Sequence, residues 1–323
     1  MQYKRYTNVI SKVINRINFY MPRNRPPGTI CSEYNARQCT HSAIIIKYTQ
    51  LPIMKEKKKL CVTRHSPVYW HVTFDNPPLN LIDPDILHEL QDLINQFEAA
   101  SELNVVVFDS ANPDYYIAHV DINQISHDVG PTGLRLLPDF MQRLSRLPII
   151  SIASIRGRAR GIGAEFIEGL DIRFGSREKM ILGQPEVGSA LIPGGGGSVY
   201  LPLLVGRARA LEIIASSEDY DADTAERYGW INRAIPDAEL DNFVDRFARR
   251  IASFEKKALT EAKRLVNRSS LLPDDARLAA AGETFIRMQS WPETRSRIAK
   301  ILEKGFQKPG DFELRLGHHV GIE

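Results

Sequence analysis

The chain has 323 residues, of which 43% are hydrophobic and 25% are charged, a composition typical of a globular protein with a large core. No apolar run approaches the roughly eighteen residues that a membrane-spanning helix needs, so no membrane partner is predicted. The net charge of +3 conceals an asymmetry: residues 1–60 contain twelve Lys and Arg against two acids, and the remainder contains 30 basic and 37 acidic residues. This mildly acidic body argues against a nucleic-acid partner.

Residues 1–60 are predicted to be a basic N-terminal extension that is disordered or not native. It has no acid before Glu33, and its apolar residues recur at helical spacing, at Ile10, Val13, Ile14 and Ile17. Such a start resembles a mitochondrial presequence over residues 1–30, which would direct the protein to the matrix. The alternative is translation from Met54, just before a lysine run and the start of the regular pattern. We favour this alternative and therefore a cytoplasmic location.

The three cysteines predict neither a disulfide framework nor a metal site. Cys31, Cys39 and Cys61 all lie in or beside the extension, and their spacing matches no paired zinc pattern. An odd number of cysteines without a secretory signal fits a reducing compartment.

From residue 62 onward the sequence alternates between strand and helix patterns. Residues 68–74 alternate as a strand, which Asn76-Pro77-Pro78 interrupts. Asp83-Pro84-Asp85 then opens a helix that runs to about residue 100. The next predicted elements are a buried strand at 105–108, a helix at 134–146 and an apolar strand at 149–155.

The second half of the chain begins with short strands and ends in helices. The predicted elements are strands at 171–174 and 179–182, helices at 207–216 and 221–228, a strand at 230–235 and a nearly continuous helical pattern beyond it. Strands that alternate with helices and then yield to a helical end predict an α/β fold with a C-terminal helical segment.

Two carboxylates stand beside backbone that carries few side chains. Glu186 ends the turn Gly183-Gln184-Pro185-Glu186 and is followed by the glycine run at 194–197. Glu165 follows Gly161-Ile162-Gly163-Ala164 about twenty residues upstream. Acids that a bulky substrate is able to approach are what proton-transfer chemistry requires. No Lys-Ser or Lys-Thr follows the glycine run, so it is not interpreted as a nucleotide-binding loop.

The motifs around these acids resemble, in order and spacing, the enoyl-CoA hydratase/isomerase (crotonase) superfamily. The central motifs are Pro148-Ile149-Ile150, Gly157, Gly161-x-Gly163-x-Glu165, Asp171-Ile172-Arg173, Gly183-Gln184-Pro185-Glu186, Ile192 to Gly197, Leu201-Pro202 and Val205-Gly206. Three further segments are similar to the family's first coenzyme A contact, its alanine–glycine–alanine–aspartate segment and its closing helix–strand element: Pro78-Leu79-Asn80, residues 115–122 and residues 222–236. The resemblance covers residues 62–270 well and the tail more loosely.

The resemblance implies a fold and an assembly. The expected fold is a spiral of repeated strand–strand–helix units, which we place at residues 61–255. Residues 256–323 are expected to form a helical oligomerisation segment, and the protein is expected to be a homotrimer or a homohexamer.

The resemblance also implies an active site for enoyl-CoA hydration. Glu165 and Glu186 would exchange protons with water and substrate, and the backbone N–H groups of Ala118 and Ile162 would form the oxyanion hole. The implied substrate and coenzyme A contacts are Pro78, Leu79, Ala118, His119, Val120, Asp121, Ile122, Gly163, Pro193 and Gly194. No cofactor is expected beyond the coenzyme A of the acyl-CoA substrate. His119 is interpreted as a packing or ligand-lining residue, with proton transfer as the alternative.

Other functions remain open from the sequence. Within the same fold, the chain is alternatively an enoyl-CoA isomerase or an acyl-CoA hydrolase. An alternative outside enzyme function is a non-catalytic acyl-CoA-binding protein. A third possibility is an RNA-associated protein that uses the basic extension.

Overall fold

The computed structural model of the protein describes residues 58–124, 135–270 and 272–321. Its strands are β1 Leu60–Ser66, β2 Tyr69–Phe74, β3 Val105–Ser110, β4 Tyr115–Ile117, β5 Ile150–Ile155, β6 Arg158–Arg160, β7 Ile172–Ser176, β8 Ile181–Gly183, β9 Asp219–Asp221 and β10 Arg233–Ile235. Its helices are α1 Pro84–Ala99, α2 Leu136–Arg146, α3 Ile162–Glu168, α4 Gly197–Val205, α5 Arg207–Ser216, α6 Ala222–Tyr228, α7 Asp237–Ala252, α8 Lys256–Ser269, α9 Asp275–Gln289, α10 Pro292–Glu303, α11 Asp311–Leu314 and α12 Leu316–Val320.

Two sheets take alternate strands of a repeating unit. One sheet has the order β1-β2-β3-β5-β7-β10, and the other has the order β4-β6-β8-β9. Consecutive pairs β3–β4, β5–β6 and β7–β8 each place one strand in either sheet, and a helix follows each pair. Successive units pair in parallel, for example at Val105 with Ile150 and at Ile152 with Ile172. The predicted α/β spiral of strand–strand–helix units is confirmed.

Most predicted elements form within a few residues of their expected bounds. The helix expected after Asp83 begins at Pro84, because the Asp83 carboxylate accepts the N–H of Ile86 at 3.0 Å and caps the first turn. The strand expected at 230–235 begins only at Arg233, since Gly229 at φ 82° ends α6 in a left-handed turn. The strands β1, β4, β6 and β9 have no counterpart among the predicted elements. Of these, β4, β6 and β9 have three residues each, too few to show an alternating pattern.

The six-stranded sheet is covered on both faces. Val106 and Phe108 of β3 face the main core, which contains helices α1, α2 and α3. Val105 and Val107 point the other way, into a cluster with Leu240 and other residues of α7. Because side chains on both faces of β3 are buried, its central residues are all apolar. The sequence therefore shows a continuous apolar run here and not an alternating pattern.

The C-terminal helices fold back onto the rest of this chain. Ile301, Phe306 and Phe312 form a cluster with α12, and Ile122 packs against it. Apolar side chains also remain exposed on α8, at Leu265 and Val266. This exposed surface fits the expected oligomerisation role, which stays a prediction together with the trimeric or hexameric state.

The predicted boundary of the N-terminal extension lies at the edge of the described residues. Leu60 is already the first residue of β1, and Lys59 forms ion pairs with Asp83 and Asp85. The presequence, Met54, Cys31 and Cys39 lie outside the described residues, whereas Cys61 is an exposed free thiol. Across the described residues, no helix is long and apolar enough to cross a bilayer.

The aromatic cluster of the main core predicts a large stability effect at Phe166. Its ring packs edge-on at 5.3 Å against both Phe74 and Phe108 and stacks at 6.1 Å on Phe140. Phe166→Ala should therefore lower the free energy of unfolding by about 3–5 kcal/mol, measured by chemical denaturation. Phe254, which is 44% exposed, supplies the matched control. Phe254→Ala should cost less than about 1 kcal/mol, and equal costs for the two variants would contradict the assigned core.

Candidate active site

Parallel pairing of β6 with β8 brings the two acidic motifs together. Arg160, the last residue of β6, pairs with Gly183, the last residue of β8. The chain leaves both strands at the same edge of the sheet, and the N–H of Gly161 donates to the Gly183 carbonyl at 3.0 Å. The segments that carry Glu165 and Glu186 therefore begin side by side.

Glu165 lies in the first turn of α3 and is almost fully buried, with 2% exposure. Its Oε1 accepts the backbone N–H groups of Gly195 and Gly197, each at 2.8 Å. Burial raises the pKa of Glu165 to about 7, although these amide hydrogen bonds favour the charged form. The glycine run is thus a carboxylate-binding loop that faces the first acid.

Glu186 lies directly before a single 3₁₀ turn, Val187–Ser189, and approaches bare backbone. A Cβ at Gly161 would lie 2.6 Å from Glu186 Oε1, and Gly161 adopts φ 51°, which favours glycine. Glu186 Oε2 is enclosed and has no hydrogen-bond partner among the described residues. Burial, followed by the negative charge of Glu165, raises the pKa of Glu186 well above its usual value. The carboxyl groups of Glu165 and Glu186 together consequently favour a single negative charge rather than two.

Both acids line one predominantly apolar cavity. The lining residues are His119, Val120, Ile122, Gly161, Ile162, Glu165, Pro185, Glu186, Ser189, Leu191, Gly194, Gly195, Phe285, Ile298 and Phe306. The structure therefore brings together two carboxyl groups in a site that excludes much of the solvent.

Several backbone amides in the cavity wall have no acceptor among the described residues. Ile162 is the first residue of α3, and neither its N–H nor that of Val120 forms a hydrogen bond there, as is also the case for His119 and Gly194. The N–H of Ala118, the other predicted donor, donates instead to the Leu79 carbonyl at 3.3 Å, and Ala118 does not line the cavity. The amides of Ile162 and Val120 therefore remain available to an acceptor in the cavity, and the oxyanion hole itself stays a prediction.

The other predicted contact residues divide into two groups. His119, Val120, Ile122 and Gly194 line the cavity, and their substrate contacts stay predictions. Five others do not line it. They are Pro78, Leu79, Asp121, Gly163 and Pro193. Their coenzyme A contacts stay predictions.

Four of these residues have different surroundings. Pro78 is exposed, and Leu79 packs in a small cluster with Tyr115. The Asp121 carboxylate caps the segment that follows it, where it accepts the N–H groups of residues 123 and 124. Gly163 packs tightly against Ile117 of β4, and a Cβ would meet that residue's carbonyl.

His119 is a lining residue whose two ring nitrogens are both engaged. Its Nδ1 lies 2.8 Å from the Val120 carbonyl, and its Nε2 lies 2.9 Å from Glu313 Oε1. The ring stacks on Phe306 at 4.2 Å. Burial would raise the pKa of Glu313, but the neighbouring His119 and the Gln307 amide lower it instead. Neither nitrogen is free for proton exchange with a substrate, which favours packing and lining over proton transfer.

Sequence reasoning missed the part of the wall that comes from the C-terminal helices. Phe285 of α9, Ile298 of α10 and Phe306 just beyond α10 close the cavity. These residues carry no local motif, and their helical spacing is that of ordinary core positions. Within the described residues, no group of His, Cys, Asp and Glu is arranged to hold a metal ion.

The raised pKa of Glu165 predicts a pH-dependent stability difference. A carboxyl group whose pKa is higher in the folded than in the unfolded state binds more protons when the protein is folded. Its contribution to the free energy of unfolding is therefore present below the ordinary pKa of 4.5 and is lost as the pH rises through about 7. The loss at Glu165 amounts to about 3 kcal/mol. Glu165→Gln has no charge to bury and should gain stability relative to the wild type across that interval.

Urea unfolding of both proteins from about pH 4 to about pH 8 measures the difference. The exposed acid Glu226 provides the control, because Glu226→Gln should differ from the wild type by the same amount at every pH. A constant difference for Glu165→Gln would contradict the burial of this charge.

Comparison with known proteins places the chain in a family. The family model described as enoyl-CoA hydratase/isomerase matches residues 68–309. The chain is 31% identical over 237 residues to a short-chain-enoyl-CoA hydratase of Clostridium acetobutylicum, covering 72% of this chain and 90% of that protein. It is 26% identical over 273 residues to the fatty acid oxidation complex subunit alpha of Vibrio parahaemolyticus, covering 81% of this chain but 39% of that longer protein.

Solved structures show the same fold. The crystal structure of a putative enoyl-CoA hydratase from Streptomyces avermitilis has 40% identity and a TM-score of 0.77, covering 82% of this chain and 97% of that one. An enoyl-CoA hydratase from Mycobacterium avium subsp. paratuberculosis has 21% identity and a TM-score of 0.69, covering 75% and 98% of the two chains, and supports the fold alone. The chain belongs to the enoyl-CoA hydratase/isomerase (crotonase) family.

Proposed function

We propose that the protein is an enoyl-CoA hydratase, which adds water across the double bond of a 2-enoyl-CoA thioester. The observation that carries this proposal is the pair Glu165 and Glu186, which face one apolar cavity together with two free amides. Hydration needs a base for water, an acid for the α-carbon and donors for the thioester oxygen. The site offers a candidate for each of these roles.

The free amides supply the stabilisation of the enolate. In our proposal the thioester oxygen accepts the N–H groups of Val120 and Ile162, whose hydrogen-bonding capacity is otherwise unused. Negative charge develops on that oxygen when water attacks the β-carbon, so fixed donors stabilise the transition state more than the substrate. Losing one such donor typically costs about 3 kcal/mol of barrier height.

The different environments of the two acids assign their roles. Two backbone amides bind the Glu165 carboxylate, so Glu165 carries the single charge and acts as the base that takes a proton from water. Glu186 has an unpartnered buried oxygen and a raised pKa, so it holds a proton and delivers it to the α-carbon. The hydroxyl bonds to the β-carbon, and exchange with solvent then restores both protonation states.

Product analysis separates this proposal from the other reactions that the same fold supports. Hydration consumes the ultraviolet absorbance of the conjugated thioester and yields a hydroxyacyl-CoA, whereas hydrolysis releases a free coenzyme A thiol. Isomerisation moves the double bond without a change in mass. A protein that only binds acyl-CoA would show a thermal shift with the ligand and no product. A panel of enoyl-CoA chain lengths in which no absorbance is lost would exclude hydratase activity.

Removing either acid should abolish most of the activity. Glu165→Gln and Glu186→Gln keep the shape of the side chain but cannot exchange the proton, so each should lower kcat about a hundredfold or more. The measurement is the loss of enoyl-CoA absorbance under saturating substrate. Glu226→Gln, which changes an exposed acid, is the control for a general effect of charge. An unchanged rate in either active-site variant would remove that residue from the mechanism.

Removing the amide donor of Val120 tests the proposed oxyanion hole. Val120→Pro eliminates the N–H and should lower kcat about a hundredfold or more. Val120→Ala keeps the N–H and should lose far less activity. Thermal denaturation of both variants monitors folding. If Val120→Pro folds and loses no more activity than Val120→Ala, the thioester oxygen does not bind at this amide.

A further inference from the structure

A third buried acid lies one helical turn beyond Glu165 and outside the cavity. Glu168 ends α3, is 3% exposed and does not line the cavity. Its Oε1 accepts the Gln184 amide nitrogen at 3.1 Å and the Trp230 indole nitrogen at 3.0 Å. The hydration chemistry proposed above uses neither Glu168 nor Gln184.

Two oxygens of this cluster lack a partner, and they belong to the two residues that already share a hydrogen bond. Among the described residues, Glu168 Oε2 and Gln184 Oε1 are buried and accept no hydrogen bond. An ionised carboxylate has acceptors only, so it leaves both oxygens unsatisfied, which is costly in a buried site. A proton on Glu168 Oε2 would supply the missing donor. Oε2 would then donate to Gln184 Oε1, and both oxygens would take part in a hydrogen bond. The two side chains would then form a cyclic acid–amide pair.

The charged groups around Glu168 agree with a neutral acid. Glu165 faces it from the same helix, and Arg173 faces it from β7. The Arg173 guanidinium donates to the carbonyls of Ile167, Leu170 and Trp230 and not to the carboxylate. Burial and the charge of Glu165 raise the pKa of Glu168, outweighing the opposing effects of Gln184, Trp230 and Arg173.

The pair also connects the segments that hold the two active-site acids. Glu168 follows Glu165 on α3, and Gln184 precedes Glu186 in the turn after β8. Gly197, whose N–H binds Glu165, packs on the same amide: a Cβ there would lie 2.7 Å from Gln184 Nε2. A shift of Gln184 would therefore move the turn of Glu186 and the loop that binds Glu165.

We propose that Glu168 is a neutral carboxylic acid, paired with Gln184, that positions Glu165 and Glu186 relative to each other. The positioning role rests on the proposed hydratase function, whereas the acid–amide pair does not. A charged Glu168 would add a second negative charge beside Glu165 and hold that base protonated at neutral pH. Neutrality of Glu168 thus keeps Glu165 available as the base.

Infrared spectroscopy tests the protonation state without any substrate. The difference spectrum of wild type minus Glu168→Gln at neutral pH should contain the carbonyl stretch of a protonated carboxyl group. The protonated Glu186 is common to both proteins and cancels. A difference spectrum with carboxylate bands only would overturn the proposal, whether or not the protein hydrates enoyl-CoA.

Kinetics of matched variants test the positioning role. Glu168→Gln replaces the acid O–H by an amide N–H, so the paired geometry is kept; most of kcat and the acidic limb of the pH profile should be retained. If Glu168 were charged, the same substitution would lower the pKa of Glu165 and move that limb to lower pH. Glu168→Leu and Gln184→Leu break the pair and should lower kcat about tenfold to a hundredfold with little change in KM.

A core variant separates positioning from loss of stability. Phe140 is fully buried in the same core, lies on α2 and does not line the cavity. Phe140→Leu should lower Tm without shifting the pH profile or kcat at a temperature where it is folded. If Glu168→Leu and Gln184→Leu behave like Phe140→Leu, the pair is structural only and the positioning role is wrong. A double variant that loses no more than either single variant would support a shared role.

Discussion

Desolvation of like charges is the constraint on which this structure depends. Glu165 and Glu186 face one apolar cavity, and Glu168 lies a turn away, so three carboxyl groups compete for very little solvation. Fixed donors decide where charge resides: the amides of Gly195 and Gly197 bind Glu165, while Glu186 Oε2 has no partner in the described part of the chain. A site with one charge and one retained proton is what concerted addition of a hydroxyl and a proton requires.

The spiral fold makes such a site possible because its repeated strand–strand–helix units bring successive segments of the chain next to each other. Each unit leaves its second strand at the same edge of the smaller sheet, so segments about twenty residues apart begin next to each other. Gly161 allows the close approach, since a side chain there would meet the Glu186 carboxylate. The geometry of the acid pair is therefore a property of strand register and bare backbone rather than of long, adjustable side chains.

The acids, the helices and most of the strands could be predicted because their signals are local, whereas the spiral arrangement was implied by the family resemblance. Alternating patterns, helix caps and glycine-flanked carboxylates are all visible within a few residues of sequence. The free amides could not be predicted in the same way, since the direction of the N–H groups does not alternate regularly here. Ala118 and Asp121 both donate to the segment at 79–82, whereas the N–H of Val120 between them has no acceptor in the described part of the chain. The partners of Glu168 were equally hidden, because Trp230 is distant in sequence and Gln184 appeared to be part of a turn.

The C-terminal segment shows how far such long-range dependence extends. Arg158 and Arg160 of β6 donate to the carbonyls of residues 313 and 314, and the Glu313 side chain binds His119 in the cavity wall. Phe306 stacks on the same His119 ring and also lines the cavity. The Glu313 network and Phe306 therefore meet at His119, and the network reaches β6, whose end leads into the helix of Glu165. Packing of the last helices and the environment of the reacting acids are consequently coupled through a three-residue strand, which no local feature of the sequence marks as important.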